Sequence, residues 1–386
     1  IREDGNALSP ETITVLDPAC GSGHILVVAY DLLKAIYLER GYQPRAIPRL
    51  ILEKNLYGVD IDDRAAQLAA FALLMKARAD DRRLFTDPPN LNVLSLQESK
   101  GLDAAELATH LAPFGLQRAP LKALLDIFEP AKTFGSLIEI PAGLNGQLAA
   151  MTAGLQGALR DGDLYARQAA QDVLPLVWQA LALGTQFDAV VANPPYMGGR
   201  NGMNDTLKEF SEKNFHSGKA DIYASFIDRG LGLLRRGHGQ LAFVTMEGWM
   251  FLPSFEDIRS RVQKEHSICS LLHLGPRAFE TISGEIVRVV AFTVTEQSSV
   301  GANIVDCFRL VKPKSEIEKR DAFLACPEST KFTQRNFARI PEGRMAYWLS
   351  TAVIACFDTG KNIESIAPVR QGFQTGDNDR FMRLWH

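Results

Sequence analysis

Long hydrophobic runs are missing from this 386-residue chain. A membrane-spanning helix needs about 20 consecutive apolar residues, and no stretch supplies them, so no membrane partner is expected. A secretory signal pattern is not found either. Cysteine is scarce: Cys20, Cys269, Cys307, Cys326 and Cys356 are scattered and odd in number. Their spacing fits neither a thiolate metal site nor a disulfide framework, and buried thiols in a reducing cytoplasm are expected. A dominant sign of charge is also lacking, with 42 Lys and Arg against 45 Asp and Glu. A global basic field for nucleic acid is thereby excluded, and any such surface must be local or lie outside this chain. Repeats and low-complexity tracts are absent.

What is present is ample material for a core. Hydrophobic residues make up 46% of the sequence, and the length exceeds the usual single domain of about 100–200 residues. A large elaborated domain or two domains are expected.

Asn193-Pro194-Pro195-Tyr196 is the most informative stretch. It follows the apolar run 187–192, of strand composition. Two prolines cannot continue a central strand, so the chain must leave the sheet there. An amide and an aromatic ring then stand at the edge where open α/β sheets bind ligands. The amide oxygen of Asn193 and a nearby backbone carbonyl can both accept from one exocyclic NH2, and Tyr196 can stack on the planar group carrying it. A strand-ending turn explains the same residues, since Asn and Pro are common in turns.

Nearer the start, 13–16 reads as a strand, followed by Asp17-Pro18-Ala19-Cys20-Gly21-Ser22-Gly23-His24 and a helical pattern over 25–37. Strand, glycine loop and helix is the form of a nucleotide-type site. A dinucleotide fold would need a third glycine where Leu26 stands. Asp17 repels pyrophosphate and suits a cationic or hydroxyl-bearing ligand, such as a methionine-derived sulfonium with its amino-acid tail. A second short strand, 55–62, ends in acids, of which Asp60 is placed to accept ribose hydroxyls. Asp62 is expected to cap the helix over 64–78. A third strand over 91–94 contains Asn92, which can reach a cofactor adenine or simply face solvent.

Residues 95–186 are far longer than one crossover and carry helical periodicity at 104–112, 121–128 and 147–183. They read as a helical insertion. Strands at 187–192, 240–245, 268–274 and 287–294 complete a doubly wound α/β sheet of seven strands with one antiparallel member. The expected organisation is a cofactor half (1–94), the insertion (95–186), a target half (187–299), a linker that leaves the sheet (300–368) and the truncated start of another domain (369–386).

Together these stretches resemble the γ-class DNA adenine-N6 methyltransferases, and in closer detail those of bacteriophage-exclusion (BREX) systems. The resemblance runs through Leu16 to His24, Tyr57 to Asp62, Asn193 to Gly198, Lys219-Ala220-Asp221-Ile222-Tyr223-Ala224 and Gln371-Gly372-Phe373-Gln374-Thr375-Gly376. It implies a Rossmann-like methyltransferase sheet and S-adenosylmethionine as cofactor, without a metal. Asn193, Pro194 and Pro195 would hold the target N6, with Tyr196 and Phe279 stacking on the two faces of an adenine rotated out of the duplex. Asp17, Ala19, Gly21 and Gly23 would line the cofactor's methionine end, Asp60 and Ile61 its ribose side, and Asn92 its adenine. The partners implied are double-stranded DNA, gripped mainly by a recognition domain beginning near Arg370, and other proteins of a phage-defence complex. A cover for the cofactor is expected before Ile1, which makes this chain read as an excised fragment. A methyltransferase for protein glutamine or rRNA, and a non-catalytic cofactor-binding module of a defence complex, stay open as alternatives.

Overall fold

A computed structural model describes residues 9–197, 202–279, 287–296, 301–325, 328–361 and 363–368. Residues 198–201 of the glycine-rich loop after Met197, the residue Cys326 and the tail carrying Gln371–Gly376 lie outside the described residues.

Among the described residues nine strands form one sheet, in the order β3-β2-β1-β4-β5-β7-β6-β8-β9. They are β1 (Val15–Asp17), β2 (Leu56–Asp60), β3 (Asn92–Ser95), β4 (Ala189–Ala192), β5 (Gln240–Met246), β6 (Ser267–Gly275), β7 (Val289–Thr295), β8 (Ile304–Arg309) and β9 (Thr330–Thr333). The expected doubly wound α/β sheet is present. β7 runs antiparallel between β5 and β6, as expected of one strand. β9 is antiparallel to β8 as well.

The last two strands correct the sequence reading. Residues 300–368 do not leave the sheet: β8 pairs parallel with β6 and β9 with β8. Phe332, Phe337, Ile340, Met345, Tyr347 and Ile354 from this stretch are buried in the main core. The thiols differ too: Cys20 and Cys307 are buried, whereas Cys269 and Cys356 are exposed.

Alternating side chains of the first strands feed two cores. Val15 and Leu56 face helices α1 (His24–Glu39) and α2 (Asp63–Asp80), packing with Leu26, Tyr30 and Leu73. Leu16 and Val59 face the insertion on the other side. Asp62 caps α2 as expected, accepting from the amides of Arg64 and Ala65. The insertion is helical: α3 (Ala104–Leu111), α4 (Arg118–Phe128), α5 (Leu148–Asp161) and α6 (Leu164–Gly184). The single periodic run over 147–183 is split because Asp163 caps a new helix through the amide of Ala166. After β4 come α7 (Asp205–Asn214) and α8 (Ile222–Gly232). Among the described residues no helix is long and apolar enough to cross a membrane.

Candidate functional site

Parallel pairing brings the ends of β1, β2 and β4 to one edge of the sheet. Beyond β1 the chain turns tightly, and the turn explains the glycines. Gly21 and Gly23 have φ of +52° and +83°, a region costly for residues with a Cβ. A Cβ on Gly23 would also stand 2.9 Å from Ala69, where α1 and α2 meet. The Cβ direction of Gly21 faces open space. Asp60 ties the loop to β2: its carboxylate accepts from the amides of Gly21 at 2.8 Å and Asp62 at 2.9 Å.

Asp17 is 1% exposed, and its carboxylate accepts from the amide of Ala19 at 3.1 Å. Burial pushes its pKa up to about 7, with the nearby Asp60 adding to the rise and the Ala19 amide opposing it. A buried carboxylate of this kind is stabilised by a ligand bringing positive charge or hydrogen-bond donors.

At the end of β4, Pro194 is buried while Asn193 and Pro195 are exposed. The Tyr196 hydroxyl donates to Asn193 Oδ1 at 2.6 Å and lies 3.3 Å from the Val244 carbonyl. Its ring meets Tyr223 edge-on, centroids 6.1 Å apart. Helix α8 holds this loop: its cap Asp221 accepts from the amide of Met197 at 3.2 Å, and the Ile222 amide donates to the Met197 carbonyl at 3.2 Å. The Lys219–Ala224 stretch noticed in the sequence therefore has a mechanical role beside the Asn-Pro-Pro-Tyr loop.

One cavity of about 340 Å³ joins these parts. Pro18, Ala19, Asp60 and Ile61 line it together with Asn193 and Pro195. The lining also includes a wall that sequence reasoning missed, Thr133 to Leu137 of the insertion, with Ile222 and Phe226 of α8. The Ser136 hydroxyl donates to the Pro18 carbonyl. Lys132 reaches the Ile61 carbonyl at 2.7 Å and Asp63 at 2.8 Å. Arg229, one turn beyond Phe226 on α8, is buried and donates to the carbonyls of Ser136 (3.1 Å), Ile138 (2.8 Å) and Leu183 (2.7 Å). Burial without a paired carboxylate lowers its pKa to about 10, although Glu139 acts in the opposite sense. One helix thus fixes both the insertion wall and the Asn193 loop. No local motif announces Thr133–Leu137; the sole sequence signal is a glycine between the helix breaks at Pro130 and Pro141.

The wall can be tested through Gly135, which has φ of +59° and ψ of −146°, a conformation essentially confined to glycine. A Cβ there would sit 3.1 Å from Ile61 Cγ2. Gly135→Ala is expected to weaken S-adenosylmethionine binding about tenfold, the equivalent of 1.4 kcal/mol at the low end of the strain range. Calorimetric titration checks this; unchanged affinity in a folded variant removes the insertion from the site.

Of the expected site residues, Asp17, Gly21, Gly23, Pro194 and Tyr196 adjoin the cavity in sequence without being among its lining residues, and two more stand elsewhere. Asn92 opens β3 rather than closing it: it pairs with Tyr57, and Asp60 pairs with Ser95. Its amide donates to the Glu53 carbonyl at 3.0 Å, at the edge away from the cavity. Its assignment to the cofactor adenine is therefore corrected. Phe279 is half-buried after β6 and is not among the residues lining the cavity. Among the described residues no His, Cys, Asp and Glu grouping is arranged to hold a metal.

Comparison with known proteins agrees with this architecture. Over 404 aligned residues the chain is 42% identical to adenine-specific methyltransferase BrxX of Escherichia coli O9:H4 (strain HS), covering 98% of this chain and 33% of that protein. It is 35% identical to adenine-specific methyltransferase PglX of Lacticaseibacillus casei (strain Zhang), covering 100% of this chain and 32% of that one. The chain thus spans about a third of the length of these curated relatives. Among solved structures, the ATP-dependent Type ISP restriction-modification enzyme LlaBIII bound to DNA shares the fold, with a TM-score of 0.53, 13% identity, and coverage of 89% of this chain and 21% of that one. Residues 54–279 match the Eco57I restriction-modification methylase family, and the chain belongs to that family.

Proposed function

We propose that this chain transfers a methyl group from S-adenosylmethionine to the N6 of an adenine rotated out of double-stranded DNA. The carrying observation is one cavity whose lining includes both Asp60 and Asn193. Its volume of about 340 Å³ lies within the usual range for ligand sites, and its donor set suits this cofactor. Asp60 in the lining offers a carboxylate for ribose hydroxyls, the buried Asp17 just before Pro18 offers one for an amino group, and Gly21 leaves open space beside the backbone. Ala19 and Ile61 provide apolar walls.

Bound there, S-adenosylmethionine supplies a methyl group on a positively charged sulfur. The protein's task is to aim the nitrogen at it, since a direct displacement gains chiefly from orientation. Asn193 Oδ1 and the Pro194 carbonyl accept the two N6 hydrogens and draw electron density onto the nitrogen. Pro195 stiffens the loop. Tyr196 covers one face of the base and Phe279 the other. For the extruded adenine to be held, the Tyr196 hydroxyl gives up its bond to Asn193 Oδ1. Taking the base out of the stack is necessary because a methyl donor cannot reach N6 inside it.

In the cell we place the activity in the cytoplasm, as the modification arm of a phage-exclusion system working with other defence proteins. Sequence recognition is assigned mainly to a domain outside this chain. The test is incubation with labelled S-adenosylmethionine and adenine-containing DNA, then nucleoside analysis for N6-methyladenine. Label appearing on rRNA or on protein glutamine instead selects another planar amino group as target. Cofactor binding with no transfer to any of these selects the non-catalytic module.

A further inference from the structure

A second feature lies on the same sheet edge as Asn193, further along it. The loops that follow β6 and β8 sit side by side because those strands are parallel, Leu272 opposite Phe308 and His273 opposite Arg309. Between the loops is a notch of about 350 Å³ lined by Pro276, Arg277, Val311, Lys312, Pro313 and Lys314, with no acidic residue in the lining among the described residues. Lys312, Lys314 and Arg277 are exposed. Below them the Lys319 ammonium is buried and clamps the loops together, donating to the carbonyls of Leu274 at 2.7 Å and Leu310 at 2.8 Å. Burial lowers its pKa, and Arg277 is near enough to lower it further, against the pull of Glu318. Glu318 itself is turned onto the Lys314 backbone amide at 2.7 Å. Arg309 extends the basic edge, its guanidinium 4.9 Å over the Trp348 ring. In a chain of net charge −3, this concentration of cations is a local exception.

We propose that this notch is a phosphodiester-binding site that grips the DNA backbone several base pairs along from the extruded adenine. The inference rests on the DNA reading above and adds to it a contact within this chain. Strand order supplies the distance. From β4 to β8 there are four strand spacings, on the order of 19 Å, which matches about five to six base pairs along one strand. The same loop carries Phe279 two residues after Arg277. Lysine on a flexible stem suits this task, as phosphate contacts fix position without reading sequence.

The experiment is fluorescence anisotropy of a 30-base-pair duplex of arbitrary sequence from 50 to 200 mM salt, with the wild-type chain, Lys312→Gln with Lys314→Gln, and a matched pair on the insertion, Lys100→Gln with Lys122→Gln. Loss of two phosphate contacts is expected to flatten the slope of log K against log salt by about 1.8 and to weaken binding at 50 mM at least tenfold, with the matched pair unchanged. An unaltered slope overturns the site, as do an equal loss in the matched pair, no wild-type duplex binding at 50 mM salt, or equal competition by polyglutamate, which would mark an acidic protein partner. Nucleoside analysis separates the two proposals. N6-methyladenine formed by wild type with no slope change removes the notch and keeps the enzyme; a slope change with no methylation by wild type does the reverse.

Discussion

Asn193→Ala is expected to lower the single-turnover rate of adenine methylation by about 10²–10³-fold while leaving the melting temperature and cofactor affinity nearly unchanged. That magnitude is the usual loss when one preorganised polar group aimed at developing charge is removed. The structure explains why stability should survive. Asn193 is exposed, and the Tyr196 hydroxyl that donates to its Oδ1 also lies within reach of the Val244 carbonyl. The loop itself is held by Asp221 and Ile222 through Met197. Tyr196→Ala is expected to cost on the order of 1–3 kcal/mol of base binding, one aromatic stack. Tyr196→Phe keeps the ring and should cost far less, because its hydroxyl competes with the incoming N6 for the same oxygen. If the four residues serve only to end β4, the outcomes exchange: Asn193→Ala melts lower yet turns over normally per folded molecule. Single-turnover methylation with thermal melts on the three variants decides between the two, and a fully active, destabilised Asn193→Ala protein ends the adenine reading.

How far the site was legible depends on where its physics is written. The β1 loop and Asp60 could be read because a short apolar run followed by glycine or acid has few other meanings at a strand end. The Thr133–Leu137 wall could not. Its contribution is a backbone held by carbonyl bonds to Arg229, and an arginine on a helix ordinarily reads as a solvated face. Asn92 was misplaced for a geometric reason. In a four-residue strand, a shift of three positions moves a side chain from one sheet edge to the other, about 10 Å. β8 escaped notice because it is half-exposed, with only Val305 and Cys307 buried, so its apolar signal is thin. The Phe337 to Tyr347 segment lacks any period, yet Met345 is anchored by its amide to the Met250 carbonyl at 3.0 Å and buried. Burial there comes from tertiary contact and leaves no local pattern.

Asp17→Asn should make the protein more stable and a worse binder of its cofactor, both in a pH-dependent way. The carboxyl is raised from near 3.8 to about 7, chiefly by burial. Between those values the native chain keeps a proton that the unfolded chain has lost, so stability falls as pH rises from about 4 to about 7. Above pH 7 the full cost of holding a buried charge applies, at most about 4 kcal/mol at 1.36 kcal/mol per pKa unit. Asparagine keeps the acceptor for the Ala19 amide and carries no charge. Its gain in melting temperature over wild type should therefore be small at pH 5 and large at pH 8. Cofactor binding should show the opposite dependence. A cationic amino group meeting Asp17 favours the carboxylate, so wild type releases a proton on binding below pH 7 and gains affinity as pH climbs to that value. The Asp17→Asn variant has no such gain and should bind at least tenfold more weakly at pH 8 than wild type, with the gap narrowing at pH 6. Melts at pH 5 and 8, with calorimetry in buffers of different ionisation enthalpy, measure both halves. If Asp17→Asn melts at the wild-type temperature at pH 8, the buried charge is not costly. If it melts higher but binds equally well, Asp17 belongs to the loop's architecture alone.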